Sequence, residues 1–81
     1  MAQQGILQGD DQPLQRIGTA IRTTRKTRGL SQEALADASG LDRSHMGKIE
    51  RGERNVSVVN LLKIARALDI ELSKLLAAAS L

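Results

Sequence analysis

The chain contains no cysteine and no phenylalanine, tryptophan or tyrosine among its 81 residues, and it has a single proline. Without cysteine it can form neither a disulfide framework nor a thiolate metal site. Without aromatic rings it lacks the side chains on which proteins usually stack the bases of single-stranded nucleic acids. A core must therefore be built almost entirely from Leu, Ile, Val and Ala, which at this length suits one small domain.

Long apolar runs are missing too. No stretch approaches the roughly 18 residues of a membrane span, and the first residues, MAQQGILQGDDQ, lack the basic start and apolar middle of a secretory signal. We therefore expect a cytoplasmic protein with no membrane partner. Residues 1–12 are polar and rich in Gln and Gly, which indicates a flexible tail, and residues 13–81 are expected to form the folded domain.

Capping and breaking residues divide the folded part into five short helices. The residues expected to begin helices are Pro13, Ser31, Asp42, Ser57 and, for the fifth helix, a residue near Glu71. The residues expected to end helices are Gly29, Gly40 and Gly52. In the fourth helix an apolar stripe is predicted at Val58, Leu61, Leu62, Ala65 and Leu68. No segment alternates with a period of two, so the fold class is all-α.

The net charge of +3 is unevenly distributed along the chain. Residues 16–28 contain five basic side chains and no acid, and residues 43–54 add Arg43, Lys48, Arg51 and Arg54. Clusters of this kind are typical of a surface that binds phosphates, but they also occur on ordinary solvated surfaces, so charge alone does not decide between the two.

Residues 31–55 have the pattern of a helix-turn-helix, in which two short helices meet across a tight turn that contains glycine. Ala36 lies where the helices would cross, and Gly40 can adopt the left-handed conformation of the turn. Met46 and Ile49 can face the core together. The side expected to face outward then holds Ser44, Gly47, Lys48 and Arg51, and Arg43 is expected to project from the N-terminal end of the helix. Gly47 would leave this surface bare for close approach of DNA, to which arginine and lysine can donate hydrogen bonds at guanine.

Residues 16–76 resemble the XRE-like helix-turn-helix regulators, which include the phage repressor and Cro proteins and the restriction–modification controller proteins. The match depends on the joint spacing of Gln32, Ala36, Gly40, Met46, Ile49, Glu50 and Gly52. It implies a lambda-repressor-like domain that binds double-stranded DNA sequence-specifically and regulates transcription. It implies no enzymatic activity, and the chain offers no nucleophile paired with a base, no second ligand beside His45 and no sign of a cofactor.

The resemblance implies a role for each matching position. The base-reading residues would be Arg43, Ser44, Gly47 and Lys48. The phosphate-binding residues would be Gln32, Arg51, Arg54 and Asn55, to which we add His45 as a contact at the edge of the groove. Arg25 and Glu50 would form a structural ion pair. The sequence departs from the usual family pattern at Met46, Val56, Asp69 and Glu71, and the last two leave the bounds of the fifth helix open.

One recognition helix reads too few base pairs to mark a unique site, so we expect a homodimer on a palindromic operator. The surplus of apolar residues near the C-terminus suggests a dimer interface at Leu72, Leu75, Leu76 and Leu81, unless these residues complete the monomer core. No sensing domain is evident, so no small-molecule effector is expected. An adaptor, or the antitoxin component of a toxin–antitoxin pair, remains the alternative, because the same apolar segment could bind a different protein.

Overall fold

The computed structural model describes residues 12–81, and the tail expected at residues 1–12 lies outside this range except for Gln12. Five α-helices and no strand are found in this part of the chain, so the all-α prediction is confirmed. The helices are α1 (Pro13–Thr27), α2 (Gln32–Ser39), α3 (Arg43–Glu50), α4 (Val58–Ala67) and α5 (Leu72–Ala78). Across residues 12–81 no helix is both long enough and apolar enough to cross a membrane.

Side-chain caps begin the three middle helices at the predicted residues. Ser31, Asp42 and Ser57 each have extended backbone, and each side-chain oxygen accepts a hydrogen bond from the backbone N–H three residues later. The donor–acceptor distances are 3.0, 3.3 and 3.0 Å. Each cap satisfies an N–H group that has no partner within the helix, which fixes where the helix starts.

The boundary between α4 and α5 is formed by residues that are less suited to it. Asp69 adopts a left-handed conformation with a φ of 57°, and the backbone N–H of Ile70 donates to the carbonyl of Ala65 at 3.0 Å. Aspartate tolerates this conformation better than most residues, so it replaces the expected glycine. Glu71 precedes α5 without any side-chain cap hydrogen bond.

The core lies where all five helices meet. Its buried apolar residues are Ala20, Ile21, Leu35, Ala36, Met46, Ile49, Leu61, Ile64, Ala65, Leu68, Leu75 and Ala79. The predicted stripe of α4 is wrong at Val58 and Leu62, which are 66% and 38% exposed, while Ile64 is fully buried. The buried face of α4 is formed by residues 61, 64, 65 and 68. This face is rotated about the helix axis relative to the predicted stripe, because α2 and α5 cover that side.

Helix α5 contributes to the core of the single chain. It packs against α1 and α4, and this contact leaves Leu75 with 0% exposure. The assignment of Leu75 to a dimer interface is therefore wrong, because its side chain is already enclosed within one chain. Leu72 and Leu76 are half-buried, and only Leu81 of the predicted set is exposed, at 51%.

Two glycines, Gly18 in α1 and Gly52 just after α3, allow α1 and the end of α3 to approach each other closely. A Cβ atom at Gly18 would overlap the backbone carbonyl oxygens of Ile49 and Glu50. At Gly52, where φ is +74°, a Cβ would overlap the side chain and backbone of Gln15. Two backbones can come this close only where a side chain is absent, so these glycines set the position of α3 against α1.

Candidate nucleic-acid interface

The turn between α2 and α3 has the geometry of a helix-turn-helix. Gly40 ends α2 with a φ of 70°, and the backbone N–H of Leu41 donates to the carbonyl of Ala36 at 2.9 Å. This bond and the left-handed glycine turn the chain within a few residues. Ala36 is buried and α2 packs directly on α3, which agrees with the need for a small side chain at this contact.

Helix α3 divides into an inward and an outward side. Met46 and Ile49 are buried in the core, as predicted. Successive residues of a helix lie about 100° apart, so Ser44 and Lys48 lie on the side away from this pair, while Arg43 lies on the flank at the N-terminal end. Arg43 and Ser44 are exposed and Lys48 is half-buried, which leaves two cations and a hydroxyl accessible on one eight-residue helix.

Gly47 does not form the bare patch that the sequence suggested. It is buried, and a Cβ at this position would lie 3.3 Å from both the Nη1 atom of Arg51 and the Oε1 atom of Gln32. The side chains of Gln32 and Arg51 therefore lie against the helix at Gly47. Both side chains are long and flexible, and DNA could reach the Gly47 backbone only if they moved.

The ion pair of Arg25 with Glu50 and the amide of Gln32 join α1, α2 and α3. The Nε and Nη2 atoms of Arg25 donate to the two carboxylate oxygens of Glu50 at 2.8 and 3.0 Å, and its Nη1 donates to the carbonyl of Leu30 at 3.0 Å. Gln32 Nε2 also donates to Glu50, at 3.1 Å. One N–H of the Gln32 amide is thus engaged within the protein. A surface cleft of about 240 Å³ opens beside the network and is lined by Arg22, Arg25, Gln32, Glu50 and Arg51.

The remaining residues expected to bind phosphates lie around the end of α3. Arg51, Arg54 and Asn55 are exposed in the loop before α4, and His45 is half-buried. Gln32, at the start of α2, and Arg51 both lie against Gly47 of α3. Side chains of these types commonly contact DNA phosphates.

Two carboxylates stand beside the exposed arginines, and the sequence analysis missed both. Arg51 donates from Nε and Nη2 to the carboxylate of Glu53 at 3.1 and 3.2 Å. This hydrogen bond, with the nearby cationic charge, holds the pKa of Glu53 below its ordinary value. The Nη1 atom of Arg43 lies 3.7 Å from the Oε1 atom of Glu33. The first pair could have been found from its two-residue separation, whereas the second depends on how α2 and α3 are oriented.

Known proteins are similar to this chain over the same helices. The helix-turn-helix family model matches residues 21–75. The chain is 46% identical over 56 residues to the control protein C.SmaI of Serratia marcescens, covering 69% of this chain and 67% of that one. It is 48% identical over 61 residues to the control protein C.MunI of a Mycoplasma species, covering 74% and 82%.

Among solved structures, the restriction-modification controller protein C.AhdI from Aeromonas hydrophila superposes with a TM-score of 0.75 at 58% identity. The match covers 76% of this chain and 94% of that chain. The clp gene regulator ClgR from C. glutamicum superposes with a TM-score of 0.81 at 28% identity, covering 84% and 88%. The similarity therefore extends over nearly the full length of a solved controller protein.

Proposed function

Because the chain belongs to the helix-turn-helix family, of the XRE type, we propose that it is a controller-type transcriptional regulator that reads the major groove of double-stranded DNA with α3. The observation that carries the proposal is that Ser44 and Lys48 on the outward side of α3, and Arg43 at its N-terminal end, are accessible while Met46 and Ile49 anchor the helix. The major groove is wide enough to admit an α-helix. The protein acts by binding and not as an enzyme, in keeping with relatives named as control proteins and regulators.

Base discrimination belongs to Arg43, Ser44 and Lys48 in this proposal. An arginine can donate two hydrogen bonds to guanine O6 and N7, and serine can pair with several bases. The Gly47 backbone takes part only after Gln32 and Arg51 move aside. Contacts to the DNA backbone, which position the protein without reading sequence, belong to Gln32, His45, Arg51, Arg54 and Asn55.

The active form in this proposal is a homodimer on a palindromic operator, acting in the cytoplasm. Support comes from apolar surface that the single chain leaves uncovered. Val58, Val59 and Leu62 of α4 are exposed, and Leu62 and Leu72 line one surface groove between α4 and α5. Contiguous apolar surface of this kind is typical of a contact with another chain. A second copy packed on this groove would present two α3 helices to successive major grooves on one face of the duplex.

The direct test is selection of bound duplexes from a random pool, followed by sequencing. We expect a palindromic consensus whose half-sites lie one helical turn apart. Affinity for that duplex should fall steeply with salt, since binding releases counterions from the phosphates that the protein neutralises. A pool that yields no enriched sequence, with weak and salt-independent binding to every duplex, would contradict the proposal.

A further inference from the structure

Two arginines of the proposed DNA interface are paired with carboxylates in the free protein. Arg43 lies beside Glu33, and Arg51 is held by Glu53 through two hydrogen bonds. All four side chains are more than half exposed. Exposed pairs of this kind contribute little to the stability of a fold, because water and salt screen them. Stability therefore gives little account of why acids stand at these two positions, beyond the small gain from an acid in the first turn of α2 at Glu33.

Both acids lie where phosphates are expected to come close. Glu33 follows Gln32 in the first turn of α2, and Glu53 follows Gly52 in the loop after α3. A carboxylate at such a place repels the DNA backbone and at the same time attracts the arginine that the backbone would bind. Asp42 and Glu50, two further acids near this surface, serve structural purposes, since Asp42 caps α3 and Glu50 pairs with Arg25.

Resting on the proposed DNA interface, we propose that Glu33 determines specificity by repelling the phosphate that Arg43 would bind on unselected DNA. Releasing Arg43 from Glu33 costs the same free energy on every duplex, so this cost cancels from the ratio of two affinities. A guanine in register draws Arg43 into the groove with two directed hydrogen bonds. On an unselected duplex Arg43 can bind only a phosphate, which then lies close to Glu33 and is repelled. Glu33 thus lowers affinity more for unselected DNA, and specificity is this difference. Arg51 contacts phosphates in every complex, so Glu53 should weaken binding to all duplexes alike.

The size of the effect follows from charge. Removing one negative charge about 4 Å from an arginine and close to a phosphate changes the interaction at an exposed site by roughly fivefold in affinity. For Glu33 the change should fall mainly on unselected duplexes. The specificity ratio, defined as the affinity for the selected duplex divided by that for a scrambled duplex of the same composition, should then fall by up to about fivefold when the Glu33 charge is removed and stay unchanged when the Glu53 charge is removed.

The experiment compares Glu33→Gln and Glu53→Gln with the matched control Asp37→Asn. Each change removes one negative charge and nearly preserves side-chain shape. Asp37 is exposed on α2 and lines a surface pocket with Lys63 and Arg66 of α4, and among the described residues it forms no ion pair with Arg43 or Arg51. Dissociation constants are measured for the selected and the scrambled duplex at two salt concentrations. We expect Glu33→Gln to bind the scrambled duplex more tightly with a reduced specificity ratio. We expect Glu53→Gln to bind both duplexes more tightly with an unchanged ratio, and Asp37→Asn to strengthen both duplexes slightly and equally.

Melting temperatures of the three variants should lie close to that of the parent protein, with a small loss for Glu33→Gln because Glu33 stands in the first turn of α2. A change in the ratio is then no consequence of altered stability. If the specificity ratio of Glu33→Gln equals those of Glu53→Gln and Asp37→Asn, Glu33 only contributes net charge and the inference is overturned. It is also overturned for Glu33 if Glu33→Gln weakens binding to the selected duplex, since Glu33 would then be a base-reading acceptor.

Arg43→Ala and Arg51→Ala, measured in parallel, separate the two levels of the argument. If neither arginine variant loses affinity for DNA, the interface itself is misplaced and the proposed function of these residues fails. If both lose affinity while Glu33→Gln behaves like Glu53→Gln and Asp37→Asn, the interface stands and only the role of Glu33 is rejected.

Discussion

The guanidinium of Arg25 and the carboxylate of Glu50 face each other with two hydrogen bonds, of 2.8 and 3.0 Å, and their side chains are only 10% and 2% exposed. The pair joins α1 to the last residue of α3, and Gln32 joins α2 to the same carboxylate. The helix that carries the base-reading residues is thereby held against both of its neighbours by one buried acid.

Removal of that acid should therefore destabilise the fold. Glu50→Ala leaves the Arg25 charge buried without its partner, which costs about 3–5 kcal/mol in the free energy of unfolding. Urea unfolding followed by circular dichroism measures the loss. Glu53→Ala, which removes an acid from an exposed pair, is the matched control and should melt near the parent temperature. Equal stability of the two variants would contradict a structural role for the buried pair.

Two glycines within helices should respond oppositely to alanine. In a solvated helix alanine is favoured over glycine by up to about 1 kcal/mol. At Gly18 the new Cβ meets the backbone of Ile49 and Glu50, which cannot give way without moving α3, so Gly18→Ala should lower stability by about 1–3 kcal/mol. At Gly47 it meets only the ends of Gln32 and Arg51. Gly47→Ala should thus keep or raise the melting temperature, and a drop as large as that of Gly18→Ala would show that those two side chains are rigidly held.

Base reading by Arg43 and Lys48 predicts a particular pattern of lost discrimination. Arg43→Ala or Lys48→Ala should relax preference at individual base pairs by roughly 1–3 kcal/mol while the fold survives. The measurement is competition binding with single-base variants of the selected duplex. Gln32→Ala, Arg51→Ala and Arg54→Ala serve as controls and should weaken all duplexes alike. A uniform loss with Arg43→Ala would reassign that residue to the DNA backbone.

The proposed dimer predicts that a charge in the groove between α4 and α5 separates the two chains. Leu62→Asp should sediment as a monomer at micromolar concentration where the parent sediments as a dimer, with little loss of stability because Leu62 is partly exposed. Leu81→Asp places the same charge at the C-terminal end and is the comparison variant. If only Leu81→Asp dissociates the dimer, the interface lies at the end of α5. If the parent protein is itself a monomer, the proposed dimer is wrong.

Dimer geometry has a separate readout on DNA. Inserting about half a helical turn between the half-sites should abolish tight binding, because one recognition helix would then face the wrong side of the duplex. Insertion of a full turn should restore part of the affinity. Binding that ignores the spacing would contradict two coupled recognition helices.

The start of α5 offers a stabilising change. Glu71 precedes the helix with extended backbone but makes no cap hydrogen bond. Glu71→Ser should supply one and raise the free energy of unfolding by about 0.5–2 kcal/mol, as Ser57 does for α4. Thermal unfolding of Glu71→Ser and of the reverse control Ser57→Ala, which should be less stable than the parent, measures both effects. No change in either variant would show that these helix ends fray independently of the core.

The sequence by itself determined the features that depend on neighbouring residues. The caps at Ser31, Asp42 and Ser57 and the turn at Gly40 involve hydrogen bonds that span only three to five residues, so residue type and spacing were sufficient to predict them. The inward positions of Met46 and Ile49 followed from helical periodicity in the same way.

Only the tertiary structure decided how the helix faces meet. Whether Leu75 is enclosed or Leu62 exposed depends on which neighbour covers each side of α4 and α5, and periodicity alone gives no orientation between helices. The same reason explains why Gly18 lies against the end of α3, why Gln32 and Arg51 cover Gly47, and why Glu33 stands beside Arg43. Except for Arg51 against Gly47, each of these contacts joins two different helices, and its distance is set by the packing of whole helices.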